Sequence, residues 1–316
     1  MDTPITLGII LPCYNEEEII SSSFSNISQY MASLISQNKI SNDSFLVFVD
    51  DGSKDKTIDI LQEIKKSNSH VKIIKLSRNF GHQYAILAGL STFYTKADCL
   101  ITIDADLQDD ISVIGQMVEK YHKGNELVYG VRLKRDTDSF FKKTTAIVFY
   151  KLMHWMGVDI VFNHADYRLA SKKALEELLK YDETNLFLRG IFPTLGFKTD
   201  TVYYNRMERT AGVSKYPFMK MLSFAFDGIT SFSVRPLRLV TFAGVVIFIG
   251  TILLTIYAIL GYFFYNAVHG WTSIVLPIYF LGGVQLLGIG ILGEYIGKIY
   301  KEVKRRPRFI IEKLMD

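Results

Sequence analysis

The segment Ile101–Asp110 reads Ile-Thr-Ile-Asp-Ala-Asp-Leu-Gln-Asp-Asp, an apolar strand-like run that ends in four aspartates within seven residues. Because side chains alternate along an extended chain, Asp104 and Asp106 lie on the same side of the strand end. Carboxylates crowded at a buried strand end repel one another unless a cation is present. The pair suits a hard divalent ion that takes its other ligands from substrate phosphates. On the motif alone, a solvated turn explains the charges equally well, and helix capping explains Asp110, which precedes the apolar-periodic Ile111.

Strand-like and helix-like segments alternate over residues 1–205, which predicts an α/β domain with a mostly parallel sheet. The apolar runs are Ile5–Leu11, Phe45–Val49, Val71–Leu76, Cys99–Ile103 and Leu127–Val131. The segments with helical periodicity are Glu16–Ser36, Lys56–Lys66, His82–Tyr94 and Ile111–His122. In such sheets, ligands bind beyond the carboxyl ends of the strands.

Polar side chains follow four of these predicted strands, at Asn15–Glu18, Asp50–Ser53, Ser77–Asn79 and Asp104–Asp109. The carboxyl ends of parallel strands meet at one edge of a sheet, so we expect these four groups to converge there. The convergence favours the metal interpretation of the aspartates over the solvated turn.

The C-terminal third is apolar. Segments at about 237–265 and 274–297 each exceed the ~20 residues that a helix needs to cross a membrane. Arg235 and Arg238 precede the first segment, and the link Asn266–Ser273 contains no Lys or Arg. The second segment is followed by Lys298, Lys301, Lys304, Arg305, Arg306 and Arg308. The positive-inside rule therefore predicts a transmembrane hairpin with both termini in the cytoplasm. The start of the chain has no basic n-region, so we also expect the N-terminal part to stay in the cytosol.

We predict four parts: a catalytic domain at 1–215, a juxtamembrane amphipathic segment at 216–236, the hairpin at 237–297 and a basic cytoplasmic tail at 298–316. Phe140–Val158 and Pro217–Val234 mix lysines with aromatic residues and can lie in the headgroup plane. For Phe140–Val158, packing on the sheet is an equally good interpretation.

Other signals are weak. The net charge of +4 is too small to indicate a nucleic-acid partner. Cys13 and Cys99 match no metal or redox spacing. The Gly288-Ile-Gly290-Ile-Leu-Gly293 run matches a dinucleotide fingerprint, but it lies inside a predicted span, where small residues favour helix packing and a homo-oligomer. His82 and His164 lie near the predicted site, and we interpret both as structural.

Four motifs together resemble family 2 glycosyltransferases of the GT-A (Rossmann-like) fold. They are Pro12-x-Tyr14-Asn15-Glu16, Asp50-Asp51-Gly52-Ser53, Ser77-Arg78-Asn79-Phe80-Gly81 and Asp104-Ala105-Asp106-Leu107-Gln108-Asp109. The likeness continues through Asp166-Tyr-Arg168, Asn185-Leu-Phe187-x-Arg189-Gly190, Glu208-Arg209-x-Ala-Gly212-x-Ser214-Lys215 and Gly293-Glu-Tyr-Ile-Gly297. This longer set resembles the polyprenyl-phosphate glycosyltransferases, with the bactoprenol glucosyltransferases nearest and the dolichol-phosphate mannosyltransferases more distant.

Two departures from related patterns bear on specificity. Gly190 rather than Trp follows Arg189, so the QxxRW motif of processive polysaccharide synthases is absent from the sequence. The pair His164-Ala165 stands where relatives often carry a smaller valine-glycine pair, and it could change the fit of the acceptor or the sugar.

The resemblance implies transfer of a hexose, above all glucose, from a UDP-sugar to undecaprenyl phosphate at the inner leaflet, with inversion and with Mg²⁺ or Mn²⁺. It places the metal on Asp104 and Asp106, and catalysis on Asp166, Asp109 and Arg168. It assigns the donor to Pro12, Tyr14, Glu16, Asp50, Asp51, Ser53, Arg78, Asp104, Ala105, Asp106 and Gln108. It assigns the acceptor phosphate to Arg132, Lys134, Arg168, Arg209 and Lys215. Asp166 is expected to orient groups or to act as a modest base.

Two alternatives stay open. One is the same lipid chemistry with mannose, an amino-pentose or an N-acetylhexosamine. The other is a catalytically silent membrane protein. For the enzyme, the resemblance implies membrane lipid, a flippase or a downstream glycosyltransferase as partners, and a product used for O-antigen or other cell-envelope glycans.

Overall fold

The computed structural model describes residues 3–106, 108–133, 164–183, 187–205, 233–265 and 271–316. The first part of the chain contains β1 (Leu7–Cys13), α1 (Ile20–Ser36), β2 (Phe45–Asp50), α2 (Thr57–Ser67), β3 (Val71–Leu76), α3 (His82–Phe93), β4 (Cys99–Thr102), α4 (Val113–His122) and β5 (Leu127–Arg132). Then come β6 (His164–Ser171), α5 (Lys172–Leu178), α6 (Leu188–Thr194), β7 (Thr199–Tyr204), α7 (Arg235–Tyr265), α8 (Trp271–Lys304) and β8 (Ile311–Met315).

The strands form one sheet in the order β7-β5-β6-β4-β1-β2-β3-β8. The β1–β2, β2–β3, β1–β4 and β5–β7 pairs are parallel. Every residue of β1 and β2 is buried, because helices connect these strands and cover the sheet. The predicted α/β class with a mostly parallel sheet is confirmed.

Strand β6 runs antiparallel between β4 and β5, with Thr102 opposite Arg168. Its first residues therefore lie at the edge where β4 ends. The Thr102 hydroxyl donates to the Asp166 carbonyl and fixes this register. The antiparallel direction of β6 brings Asp166 and Arg168 to the sheet edge that carries Asp104.

The end of the chain differs from the predicted basic tail at 298–316. Residues up to Lys304 complete α8, and Ile311–Met315 forms β8, antiparallel to β3 at the edge of the sheet. The Ser77 amide donates to the Ile310 carbonyl at 3.0 Å. The strand partner lies far away in the sequence, so the local pattern of this charged segment did not reveal the pairing.

Ion pairs also hold the terminal segment to the sheet domain. Lys75 pairs with Glu312 at 3.0 Å, and Lys72 pairs with Asp316 at 2.7 Å. The compact unit that contains the sheet includes 306–316 in addition to described residues of the predicted 1–215 domain.

The second unit contains the described residues 233–265 and 271–305. Both segments predicted as spans are helical, in α7 and α8. Within the described ranges, one helical stretch, Phe280–Lys304, is long and apolar enough to cross a membrane, so the predicted pair of spans is not confirmed. The predicted interfacial segment Phe140–Val158 lies outside the described residues, as does nearly all of Pro217–Val234.

Candidate active site

The loops after β1 and β2 are tied together by hydrogen bonds. The Asn15 amide donates to Ser53 Oγ at 3.0 Å, and Asn15 Oδ1 accepts the Lys54 amide at 2.8 Å. Asn15 has φ 54°, a left-handed conformation that asparagine tolerates. This turn leaves the Tyr14 side chain 38% exposed, so its ring is available to stack on a planar group.

The two aspartates at the end of β2 face different partners. Buried Asp50 accepts the Ser53 amide at 3.2 Å through Oδ1, and burial raises the pKa of its carboxyl. The two oxygens of Asp51 accept the amides of Phe80 and Gly81, at 2.7 and 2.8 Å. Asp51 therefore fixes the loop that leads into α3.

Gly52 allows the β2 turn to approach that loop. It has φ 67°, and a Cβ atom at this position would lie 2.5 Å from the carbonyl carbon of Arg78. Any side chain here would push the two loops apart. The exposed Arg78 guanidinium lies 4.0 Å from the centre of the Phe80 ring.

Asp104 and Asp106 follow β4 at the same edge. The Asp104 side chain is 34% exposed, and Asp106 Oδ1 accepts the Gln108 amide at 3.2 Å. Burial raises the pKa of Asp104; the negative charges of Asp166, Asp109 and Asp106 raise it further, while His82 lowers it. A divalent cation would relieve this repulsion, so the donor set fits one. The described residues hold no group of three or more His, Cys, Asp or Glu that could hold a metal.

Asp166 is surrounded by three basic side chains. Its carboxylate accepts from Arg168 Nη2 at 2.5 Å, and from Arg189 Nε and Nη2 at 3.2 and 3.0 Å. His82 Nε2 lies 3.6 Å from its Oδ2. Although burial favours the neutral acid, Arg189, His82 and Arg168 hold the pKa of Asp166 well below its usual range.

The two arginines around Asp166 differ in exposure. The Arg168 side chain is 2% exposed, donates to the Leu188 carbonyl at 3.4 Å and lies over the Phe192 ring. The Arg189 side chain is 32% exposed. In this arrangement Arg168 supports Asp166 from the interior, and Arg189 is the arginine of this pair that faces solvent.

A second cluster lies at the ends of β5 and β7. Arg132 donates to Asp109 Oδ1 through Nε and Nη2, at 3.1 and 2.9 Å. The Tyr204 hydroxyl donates to the same oxygen at 2.7 Å. The Asp109 carboxylate is buried, so it anchors Arg132 at this edge of the sheet.

The structure therefore brings most of the predicted site residues to one sheet edge. Pro12, Ala105 and Gln108 are buried in the strand ends and turns that form it, and Glu16 is partly buried beside Thr57. Lys134, Arg209 and Lys215 lie outside the described residues.

The sequence analysis gave no site role to three residues that lie here: His82, which it placed near the site and interpreted as structural, Arg189 and Tyr204. His82 directly follows the Ser77–Gly81 motif, and Arg189 lies inside the Asn185–Gly190 motif. Their proximity to these motifs was the sequence feature that could have indicated a site role. Tyr204 gave no signal, because its role depends on β7 pairing with β5.

Comparison with known proteins adds independent information. The Glycosyl transferase family 2 model matches residues 8–179. The uncharacterized glycosyltransferase YkoT of Bacillus subtilis (strain 168) is 51% identical over 306 residues, which cover 97% of this chain and 91% of YkoT. The SfII prophage-derived bactoprenol glucosyl transferase of Shigella flexneri is 40% identical over 309 residues, 97% of each chain. The prophage bactoprenol glucosyl transferase homolog of Escherichia coli (strain K12) is 39% identical over 310 residues, 98% of this chain and 99% of that protein.

Proposed function

Because this chain belongs to glycosyl transferase family 2, we propose that it transfers glucose from UDP-glucose to undecaprenyl phosphate. The observation that carries the proposal is the 40% identity to a bactoprenol glucosyl transferase along 97% of both chains. The product would be a lipid-linked sugar for modification of cell-envelope glycans such as O-antigen.

The donor half of the proposed site is the edge formed by the ends of β1, β2 and β4. Exposed Tyr14 would stack on the uracil ring, with Glu16 and Ser53 near the ribose. Asp104 and Asp106 would hold Mg²⁺ or Mn²⁺ against the diphosphate. When bound, the cation supplies neutralisation of the charge that develops on the departing UDP.

The acceptor half would lie near Asp166. The second pKa of a phosphate monoester is about 6, so the lipid phosphate is already ionised at cytosolic pH and needs no strong base. The low pKa of Asp166 also suits an ion-pair role better than proton abstraction. A phosphate oxygen then attacks the anomeric carbon as UDP leaves, in a single displacement with inversion.

Desolvating and orienting a phosphate dianion requires cations. Arg189 and Arg132 are the candidates that the described residues offer, since both guanidinium groups are partly exposed. We assign buried Arg168 to holding Asp166, in place of the phosphate contact expected from the resemblance. Lys134, Arg209 and Lys215 remain candidates by resemblance.

We also propose that α7 and α8 form a two-span membrane hairpin in the inner membrane. Strand β8 pairs with β3, so the chain that leaves the sheet domain before α7 rejoins it after α8. A chain that returns to the same compartment crosses a membrane an even number of times. The basic residues that flank the helices favour the cytoplasm for the sheet domain and both termini.

Product analysis tests this function. Purified enzyme would be incubated with undecaprenyl phosphate, a divalent cation and, separately, UDP-glucose, GDP-mannose, UDP-N-acetylglucosamine or a UDP-amino-pentose. We expect a glycolipid with the mass of the hexose product from UDP-glucose. A product from another donor alone would assign that sugar instead, and absence of any product would favour the silent membrane protein.

A pair of variants in the aspartate cluster tests the metal assignment. Asp106→Asn should lower transfer at least ~100-fold, because charge stabilisation by a metal contributes several kcal/mol. Asp110→Asn is the matched control. Asp110 Oδ1 accepts the Ser112 amide at 2.9 Å, and asparagine can replace this cap, so activity should persist. Equal activity of the two variants would remove the metal assignment.

A further inference from the structure

His82 lies between the carboxylate of Asp104, which follows β4, and that of Asp166 in β6. Its Nε2 atom lies 3.3 Å from Asp104 Oδ1 and 3.6 Å from Asp166 Oδ2. Without a hydrogen-bond donor between them, two carboxylates that both lie this close to one imidazole nitrogen would repel one another.

The backbone around His82 is held from three directions. Asp51 fixes the preceding loop through the amides of Phe80 and Gly81. His82 itself begins α3, so its backbone belongs to a helix that packs on the sheet. Gln83 Oε1 accepts the Leu188 amide at 2.9 Å, which ties the same helix to α6.

These contacts form a continuous path across the site. Helix α6 carries Arg189, whose guanidinium donates to both oxygens of Asp166. The start of α3 therefore contacts the carboxylate of the proposed donor half and the carboxylate of the proposed acceptor half. The His82 side chain remains 44% exposed, so the imidazole lines the site instead of filling the core.

We propose that His82 is a positioning residue that sets the donor-side Asp104 against the acceptor-side Asp166. This inference rests on the proposed function, because it assigns the two carboxylates to the two substrates. A residue that only supports the fold would affect stability and both substrates alike. A positioning residue affects the rate of transfer between substrates that are already bound.

The experiment compares His82→Ala, His82→Gln and His82→Asn with the wild type. UDP-glucose and undecaprenyl phosphate are the substrates, in the presence of Mg²⁺ or Mn²⁺. Glutamine can place its amide nitrogen where Nε2 lies, whereas the shorter asparagine cannot. His122→Ala is the matched control, because His122 ends α4 and lies outside the contacts described above.

We expect His82→Ala and His82→Asn to lower kcat for transfer ~100-fold, the scale of a misplacement of about 1 Å. UDP-glucose affinity, measured by calorimetry with and without the divalent ion, should stay within about threefold of the wild type. His82→Gln should recover most of the rate, and His122→Ala should match the wild type.

Each contrary outcome has a distinct meaning. Wild-type enzyme without product would refute the proposed function. Active wild-type enzyme together with full activity in His82→Ala would refute the positioning role. A rate loss in proportion to lost UDP-glucose affinity or lost thermal stability would also refute it. If His82→Ala fails to fold, equal activity of the Gln and Asn variants would overturn the inference.

Discussion

Asp166 shows how the neighbours of one residue determine its chemistry. The motif Asp166-Tyr-Arg168 fits either an orienting residue or a base. In the structure, Arg168 and Arg189 both donate to the carboxylate, so the ionised form is strongly favoured. A carboxylate with such a lowered pKa accepts a proton only weakly, but it stabilises and orients the neighbouring cationic side chains.

This interpretation predicts a large stability effect at Asp166. Asp166→Asn removes the charge that compensates buried Arg168, and leaving such a charge unpaired costs about 3–5 kcal/mol. Asp166→Asn combined with Arg168→Met should recover most of that loss without restoring transfer. Denaturant unfolding of the detergent-solubilised enzyme measures both variants.

The control for this prediction is Asp182→Asn. Asp182 pairs with Arg308 at 2.9 Å but is exposed, so its loss should cost less than about 1 kcal/mol. Wild-type stability of Asp166→Asn would contradict this ion-pair role.

At the scale of elements, β8 covers an edge that would otherwise be open. Strand β3 pairs with β2 on one side and β8 on the other. An uncovered edge strand presents unpaired backbone groups and promotes association between chains. The C-terminal segment therefore contributes to the catalytic domain, although it follows two long helices in the sequence.

Removing residues 311–316 should destabilise the sheet domain. The truncation breaks the β3 ladder and the ion pairs of Glu312 and Asp316, and we expect a loss of about 1–3 kcal/mol with increased aggregation. Thermal unfolding and light scattering measure these effects. Asp316→Asn alone should cost less than about 1 kcal/mol, since exposed ion pairs contribute little. Unchanged stability of the truncated chain would show that β8 does not support the sheet.

At the scale of the whole molecule, the return of the chain to the sheet constrains membrane topology. If α7 and α8 both cross the membrane, Ser273 lies on the side opposite Lys313. Ser273→Cys and Lys313→Cys, in a background with Cys13 and Cys99 replaced, would be treated with an impermeant maleimide. We expect Ser273→Cys to react in right-side-out vesicles and Lys313→Cys in inverted vesicles. Reaction of both on the same side would contradict the hairpin.

The sequence by itself determined the elements whose signals are local. Alternating apolar runs and helical periodicity identified β1 to β5 and α1 to α4, because burial on a sheet or a helix face leaves a regular pattern. The polar residues at four strand ends indicated one shared edge, since parallel strands place their carboxyl ends together. The family resemblance, read from those same motifs, is confirmed.

Only the tertiary structure decided which distant segments meet at that edge. The antiparallel insertion of β6 and the pairing of β8 with β3 depend on contacts between segments far apart in sequence. Packing of β6, α3 and α6 around this edge buries Arg168, leaves Arg189 partly exposed and places His82 between Asp104 and Asp166. Short-range periodicity carries no information about partners so distant, and burial of one charge rather than another follows from packing alone.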